Sequence, residues 1–386
     1  MLTIVLPALL PTVAVTPMAD TVRATISAIV AEDAPRTPYF FGSISGLTID
    51  PAGRVIVSDA GEARLVVFGA DGKALGTIGR KGKGPGEFES PTGPAIGPDG
   101  ALYVRNMSSV SRFITDAKTG LLSRFDRSLP GPAFAPWLSK LATTIDTRGR
   151  LHFPLEATRD GLTYHAYQRY ALDGKELDSI AVPMHPTARS SSAAVPISAA
   201  TGRMVKGLNV VPFHPLPVWS VTMTGTVMSS PSDKYLLIET NEREQSVRQV
   251  TRAESPSPIH QRERLDSVAA LGRRLDSLRV PLAQVRGMSE EVKTRRVPVV
   301  YPVFRSLSTA ADGAIWARRW SPHGEASTSI FDVIATDGRV VRTVVVPANC
   351  ATLPAPAIRG PVLTCVQLDP STDAETLVIA RIPTAR

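Results

Sequence analysis

The sequence predicts an all-β fold: a six-bladed β-propeller of four-stranded antiparallel blades, with one short helical insertion. Three observations predict it. A tight turn ending in glycine and followed by an apolar strand recurs at Gly53 (Gly-Arg-Val-Ile-Val), Gly100 (Gly-Ala-Leu-Tyr-Val), Gly149 (Gly-Arg-Leu-His-Phe) and Gly313 (Gly-Ala-Ile-Trp-Ala). A second glycine turn follows each copy 19 to 25 residues later, at Gly72, Gly120, Gly174 and Gly338, which leaves room for four strands per repeat. Successive first turns stand 47 and 49 residues apart at Gly53, Gly100 and Gly149, in the range of radial sheet arrays. Asp-Gly pairs supply the positive φ that tight hairpins need.

Two blades are less regular. Gly174 and Gly313 are 139 residues apart, too far for one repeat. The stretches 218–227, 235–239 and 246–252 supply a fourth blade, with Ser-Pro-Ser-Asp-Lys (230–234) as a turn where the other copies use glycine. Near the C-terminus, 361–368 and 376–382 make only part of a last sheet, and the missing strand is expected from 21–30. Pairing the two ends of the chain closes the ring and removes the open edge.

Three residues after the turn glycine stand Ile56, Tyr103, His152 and Trp316, with mostly apolar neighbours on either side. Strands apolar on both faces are sandwiched, as stacked blades require. His152 is therefore expected to be a core residue rather than a ligand.

The run Gly82, Lys83, Gly84, Pro85, Gly86, Glu87, Phe88, followed by Pro91 and the strand Ala101 to Val104 after a Pro-Asp-Gly turn, resembles the NHL-repeat group of six-bladed, TolB-like propellers. The match is close over about residues 42–125 and weaker beyond. The resemblance implies the fold. Its group includes binding scaffolds as well as lactonases and amidating lyases, so function has to be argued from the site. A zinc-dependent lyase of this fold would need histidines at matching repeat positions, which His165, His185, His214, His260 and His323 do not occupy.

At 386 residues the chain has the length of two domains, but six blades make one closed unit, expected over 20–386. Residues 1–19 carry no charge and read as the apolar part of a secretory signal peptide, which implies a secreted or periplasmic protein with no lasting membrane insertion. No basic residue precedes the apolar run and Pro7, Pro11 and Pro17 interrupt it, so a misplaced start or a buried strand stays open. Cys350 and Cys365 are either two buried thiols or a disulfide, and export favours the disulfide. No Cys-x-x-Cys spacing suggests structural zinc.

Arg80, Lys81 and Lys83 among four glycines look like a phosphate cradle, yet a strand follows where a nucleotide loop needs a helix N-terminus. The loop is expected to be a crossover with Phe88 wedged between blades. Six residues after the turn glycine stand Asp59, Asn106, Leu155 and Arg319; the first two suit calcium, the last two do not. Arg105 and Arg318, one position earlier, place positive charge where a cation would sit. No cofactor is expected; the alternative is a calcium-dependent, lactonase-like hydrolase or lyase using Asp59 and Asn106 at the channel mouth.

Residues 258–296 form the helical insertion: Leu265, Val268, Leu271, Leu275 and Leu278 recur at helical spacing and are expected to lie on the sheet edge. Pro281 ends this helix and Ser289, Glu290 and Glu291 could cap another turn.

In a propeller of this strand order, crossovers and second-to-third strand loops share one face. That face is expected to collect Arg80, Lys81, Lys83, Arg105, Asn106, Arg318, Arg319 and Trp320. With a net charge of +8, its sign favours an anionic glycan or an acidic protein partner. Nucleic acid is disfavoured because no aromatic series accompanies the cations. The expected function is non-catalytic recognition by a monomer.

Overall fold

Each blade starts from the same local chemistry. In the first, Gly53 at φ 80° lets its amide reach the Asp50 carbonyl while the Asp50 amide donates to the Arg54 carbonyl, both at 2.9 Å. In this computed structural model the described residues are 12–14, 20–36, 38–133, 138–159, 162–183, 192–196, 204–209, 212–277, 297–320, 327–369, 372 and 374–383. They form six four-stranded antiparallel blades, each with its first strand innermost.

The first blade is Ile44–Ile49, Val55–Asp59, Arg64–Phe68 and Ala74–Ile78; the second runs from Pro91–Ile96 to Arg124–Pro130 and the third from Thr144–Ile145 to Glu176–Ala181. The fourth is Val218–Val221, Val227–Ser230, Leu236–Thr240 and Ser246–Thr251, and the fifth Phe304–Thr309, Ile315–Arg319, Ser329–Ile334 and Val340–Val346. The sixth joins Ala357–Arg359, Val362–Leu368 and Glu375–Arg381 to the N-terminal strand Thr25–Val30, which pairs antiparallel with Glu375–Arg381. The expected closure is thus present. Just before it, Asp20–Arg23 adds a parallel fifth strand to the fifth blade, and Thr12–Ala14 does the same on the fourth. The rest of the expected leader, 1–11 and 15–19, lies outside the described residues.

The fourth blade corrects one expectation. Its turn glycine is Gly225, at φ 81°, with Thr222 in the place of Asp50: the Thr222 amide donates to Thr226 and the Gly225 amide to Thr222. Residues 230–234 instead form the loop at the opposite end, between second and third strands.

Alternation of side chains along the second strands builds the core. Val55 and Val57 join a cluster with the sixth blade's Val366 and Leu377, whereas Ile56 between them joins the second blade's Leu102 and Val104. Likewise Trp316 faces the sixth blade and Ile315 and Ala317 the fourth. Every pair of neighbouring blades shares one such cluster, so the apolar core is a ring of six interfaces. Phe88 is fully buried in the first-to-second interface, as expected of a wedge.

The helix is Gln261–Ser277. Only part of its predicted stripe is covered: Val268 and Leu271 are half-buried, but Leu265 is 63% exposed. Arg264 donates to the Val297 carbonyl at 2.7 Å and Tyr301 hydrogen-bonds to Glu263, so polar contacts anchor the first turns. The side chains of Leu275 and Leu278, Pro281 and the cap at 289–291 lie outside the described residues.

Cys350 and Cys365 are disulfide-bonded, tying the crossover into the sixth blade to that blade's second strand. For two cysteines 15 apart in sequence, replacing both by serine is expected to lower the unfolding free energy by about 3 kcal/mol in urea titrations.

His152 is fully buried, its Nε2 3.0 Å from the Asp146 carboxylate, which also takes Arg150 Nε at 2.7 Å. Burial holds the His152 pKa below its usual value, more than Asp146 restores it. Burial would raise Asp146, but hydrogen bonds from His152 and Arg150 outweigh it and keep the carboxyl below its usual range. Both groups bind protons more readily in the unfolded chain. Stability is therefore lost as pH falls, below about 6.5 through His152 and below about 4 through Asp146. His152→Gln keeps a donor to Asp146 and does not titrate. Between pH 7 and 5 the wild-type melting temperature is expected to fall more steeply than the variant's.

Candidate functional site

The glycine turns lie at one end of the blades, and the crossovers and second-to-third strand loops at the other. At that loop end, the last two residues of the second strand point to opposite sides in the first, second and fifth blades. The residue six after the turn glycine faces the preceding crossover and the residue five after faces the following one.

Asp59 and Asn106 occupy the first of these positions and do the same work. The Asp59 carboxylate, fully buried, accepts the amides of Gly42 (3.1 Å), Ser43 (2.9 Å) and Glu62 (3.3 Å). The Asn106 carbonyl accepts the amides of Glu89 (2.9 Å) and Ser90 (3.1 Å). Each side chain thus clamps the crossover entering its own blade, and these bonds account for both residues without a cation. Among the described residues no cluster of three or more His, Cys, Asp or Glu side chains is arranged to hold a metal ion.

The glycine-rich crossover holds an anion of its own making. Glu87 accepts the Gly84 amide at 2.9 Å and Arg80 Nε at 2.8 Å, and its carboxyl is held below the usual range by the Gly84 amide first and Arg80 next. A Cβ on Gly82 would meet the Glu87 carboxylate at 2.0 Å, so the glycine makes room for this inward-turned acid. Lys83 pairs with Glu89 at 3.3 Å; Lys81 is exposed.

The expected cationic face does not assemble. Arg80, Lys81 and Lys83 sit between the first and second blades, whereas Arg318, Arg319 and Trp320 belong to the fifth, across the ring. Arg105, Arg318 and Arg319 are not surface cations either, because strand alternation turns them between blades. Arg105 is 3% exposed, donates to the Ala133 carbonyl at 2.6 Å and lies over the Phe153 ring. Arg319 faces the fourth blade, bonded to Asp332 at 3.0 Å and to Glu254; Arg252 bonds the same two acids at 3.1 and 2.8 Å. Two arginines and two carboxylates neutralise one another there. The network borders a cavity of about 510 Å³ between the fourth and fifth blades, lined in part by Tyr235, Tyr301 and Trp320.

Arg318 differs from these. It is 2% exposed, and its Nη2 donates to the Asn349 side-chain carbonyl at 2.8 Å, while Nε and Nη1 are buried without a hydrogen-bond partner among the described residues. Burial first, then the like charge of Arg305, pushes its pKa down to about 9. Arg305, which the sequence reading passed over, lies on the innermost strand of the same blade with its guanidinium 5.0 Å above the Trp320 ring. Its pKa is lowered by desolvation, and part of its surface stays accessible. The one available signal was a lone charge in the otherwise uncharged stretch 299–310. On the opposite side of the ring, Lys140 of the second crossover reaches Glu375 of the sixth blade at 2.5 Å, so that acid is already paired.

Residues 39–109 match the model of the DUF5128 family, described as a 6-bladed beta-propeller. No curated protein sequence matches the chain. Solved structures with a similar course include a protein of unknown function from Bacteroides caccae (13% identity, TM-score 0.42, covering 84% of this chain and 89% of that one). Virginiamycin B lyase from Staphylococcus aureus is similar at 9% identity and TM-score 0.39, covering 94% of each chain. Regucalcin, a calcium-binding protein from Agrobacterium tumefaciens, is similar at 13% identity and TM-score 0.40, covering 96% and 98%. At these identities and scores they say nothing of what this chain binds.

Since Asp59 serves as a clamp, Asp59→Ala is expected to cost about 2–3 kcal/mol by leaving buried amides unpaired. The loss should be the same in urea melts with calcium and with a chelator. A loss seen only with calcium would reinstate the metal reading.

Proposed function

We propose that the chain is an exported propeller of NHL type that recognises an anionic ligand at its loop end, without chemistry. One observation carries this reading: Arg318 is buried with two of its three guanidinium nitrogens unpartnered, and no described carboxylate pairs with it or with Arg305. Buried polar groups are almost always satisfied, and an uncompensated buried charge is strongly unfavourable. A ligand carrying the missing negative charge relieves both. An acidic glycan suits an enclosed position better than a flat protein face does, because a chain end can enter it. The glycine-rich repeat of the first two blades supports the NHL-type assignment. The disulfide supports an oxidising compartment, secreted or periplasmic.

Titration calorimetry with oligogalacturonate and with heparin-derived oligosaccharides tests the reading. Binding of at least one is expected, weakening as salt rises from 50 to 200 mM and falling about tenfold or more in Arg318→Met. Absence of binding by both at 50 mM salt would overturn it.

A further inference from the structure

The geometry points to a defined seat for a single oxyanion group, formed by Arg305, Arg318, Ser306 and Asn349 on the channel side of the fifth blade. The inference rests on the anion-binding reading and narrows it, from an extended cationic surface to one enclosed position. The pairing register puts Ser306 opposite Arg318, on the same face of the sheet, and shifts between Phe304 and Ser306. That bulge, which the first blade repeats at Ser45, leaves Arg305 without a strand partner. Trp320 beneath the Arg305 guanidinium holds it in place by cation–π contact.

The donor inventory decides the ligand's chemistry. Arg318 offers Nε and Nη1, and the buried Ser306 hydroxyl has no partner among the described residues. Asn349 accepts from Arg318 through its oxygen, which leaves its amide nitrogen to donate. Arg305 makes no hydrogen bond or ion pair among the described residues. Three of the four residues thus offer donors alone, the Ser306 hydroxyl can donate as well, and no carboxylate among the described residues balances two guanidinium charges. A neutral sugar hydroxyl or a cation would leave that imbalance in place. A sulfate, phosphate or carboxylate group corrects it, accepting several hydrogen bonds at once and supplying the charge. The group can arrive as a free ion or as the end of a larger molecule.

The repeat gives an internal control. Arg105 stands at the position of Arg318 in the second blade, directly across the ring; the innermost strand there also shifts register, between Thr92 and Ala95, but carries no arginine. The unpaired nitrogens of Arg318, the Ser306 hydroxyl opposite it and Arg305 next to Ser306 define the seat.

Thermal unfolding in sodium sulfate, phosphate or acetate, each against chloride at matched ionic strength, tests this. A melting temperature that climbs with the logarithm of ion concentration from the millimolar range upward, by about 5 °C, is expected for at least one ion, as binding to the folded state alone requires. Non-specific stabilisation by exclusion of sulfate or phosphate from the protein surface grows in proportion to concentration instead and survives substitution. Arg305→Gln, accessible and free of structural bonds, should remove the logarithmic part, and Arg318→Met should do the same. The triple change Arg80→Ala, Lys81→Ala, Lys83→Ala should leave it intact. No logarithmic rise with any ion, or one that persists in Arg305→Gln, would overturn the seat. If the oligosaccharides still bound in that case and depended on Arg80, Lys81 and Lys83, the anion-binding reading would stand with its site moved to the first crossover. If they did not bind, both would fall.

Discussion

The whole ring depends on six residues from the beginning of the chain. Thr25–Val30 completes the sixth blade by pairing with Glu375–Arg381, and through that sheet the first and last blades share a core. Without it the sixth sheet would end at an open edge and the apolar faces of Val366 and Leu377 would lose part of their cover. Because each blade buries both faces against its neighbours, the loss would not stay local. A closed ring has no terminal blade to cap; an open one has two.

Closure also fixes what can happen at the loop end. Second strands converge there, and their alternation sends one terminal side chain toward each adjoining crossover. Where that side chain is Asp59 or Asn106 the outcome is a clamp on backbone amides. Where it is Arg319 the outcome is an ion-pair network with residues of the following and preceding segments. Arg318 uses one nitrogen as a clamp, on Asn349, and keeps two others unpaired. The same geometric position thus serves structure in most blades and leaves unfinished chemistry in one. The disulfide bears on that place as well, since Cys350 directly follows Asn349 and holds the segment that carries it.

The fold was legible because its signals are local. Turn glycines at Gly53, Gly100, Gly149 and Gly313 need positive φ and show it, and strands apolar on both faces can only be sandwiched. Gly225 escaped notice because Thr222 replaces the aspartate that marks the other turns, although the backbone bonds are the same. The site was harder to read. Arg318 and Arg319 are adjacent and look alike in sequence, yet one faces Asn349 and the other Glu254 and Asp332, partners 13 to 65 residues away. Arg305 depends on a register shift that nothing in its own neighbourhood announces. The helix stripe was only partly informative: Val268 and Leu271 are half-buried, but Leu265, at the right spacing, is turned out where Arg264 and Tyr301 anchor the first turns by polar contacts.

The N-terminal strand has a consequence for how the molecule comes into being. A ribosome delivers Thr25–Val30 long before its partner Glu375–Arg381. Throughout the intervening synthesis that strand has no sheet to join, and five blades can assemble while the sixth cannot. Contacts so distant in sequence form late and slowly, with apolar edges uncovered in the meantime. A nascent chain of this kind carries uncovered apolar segments for most of its synthesis, and the ring closes only once Glu375–Arg381 has been made.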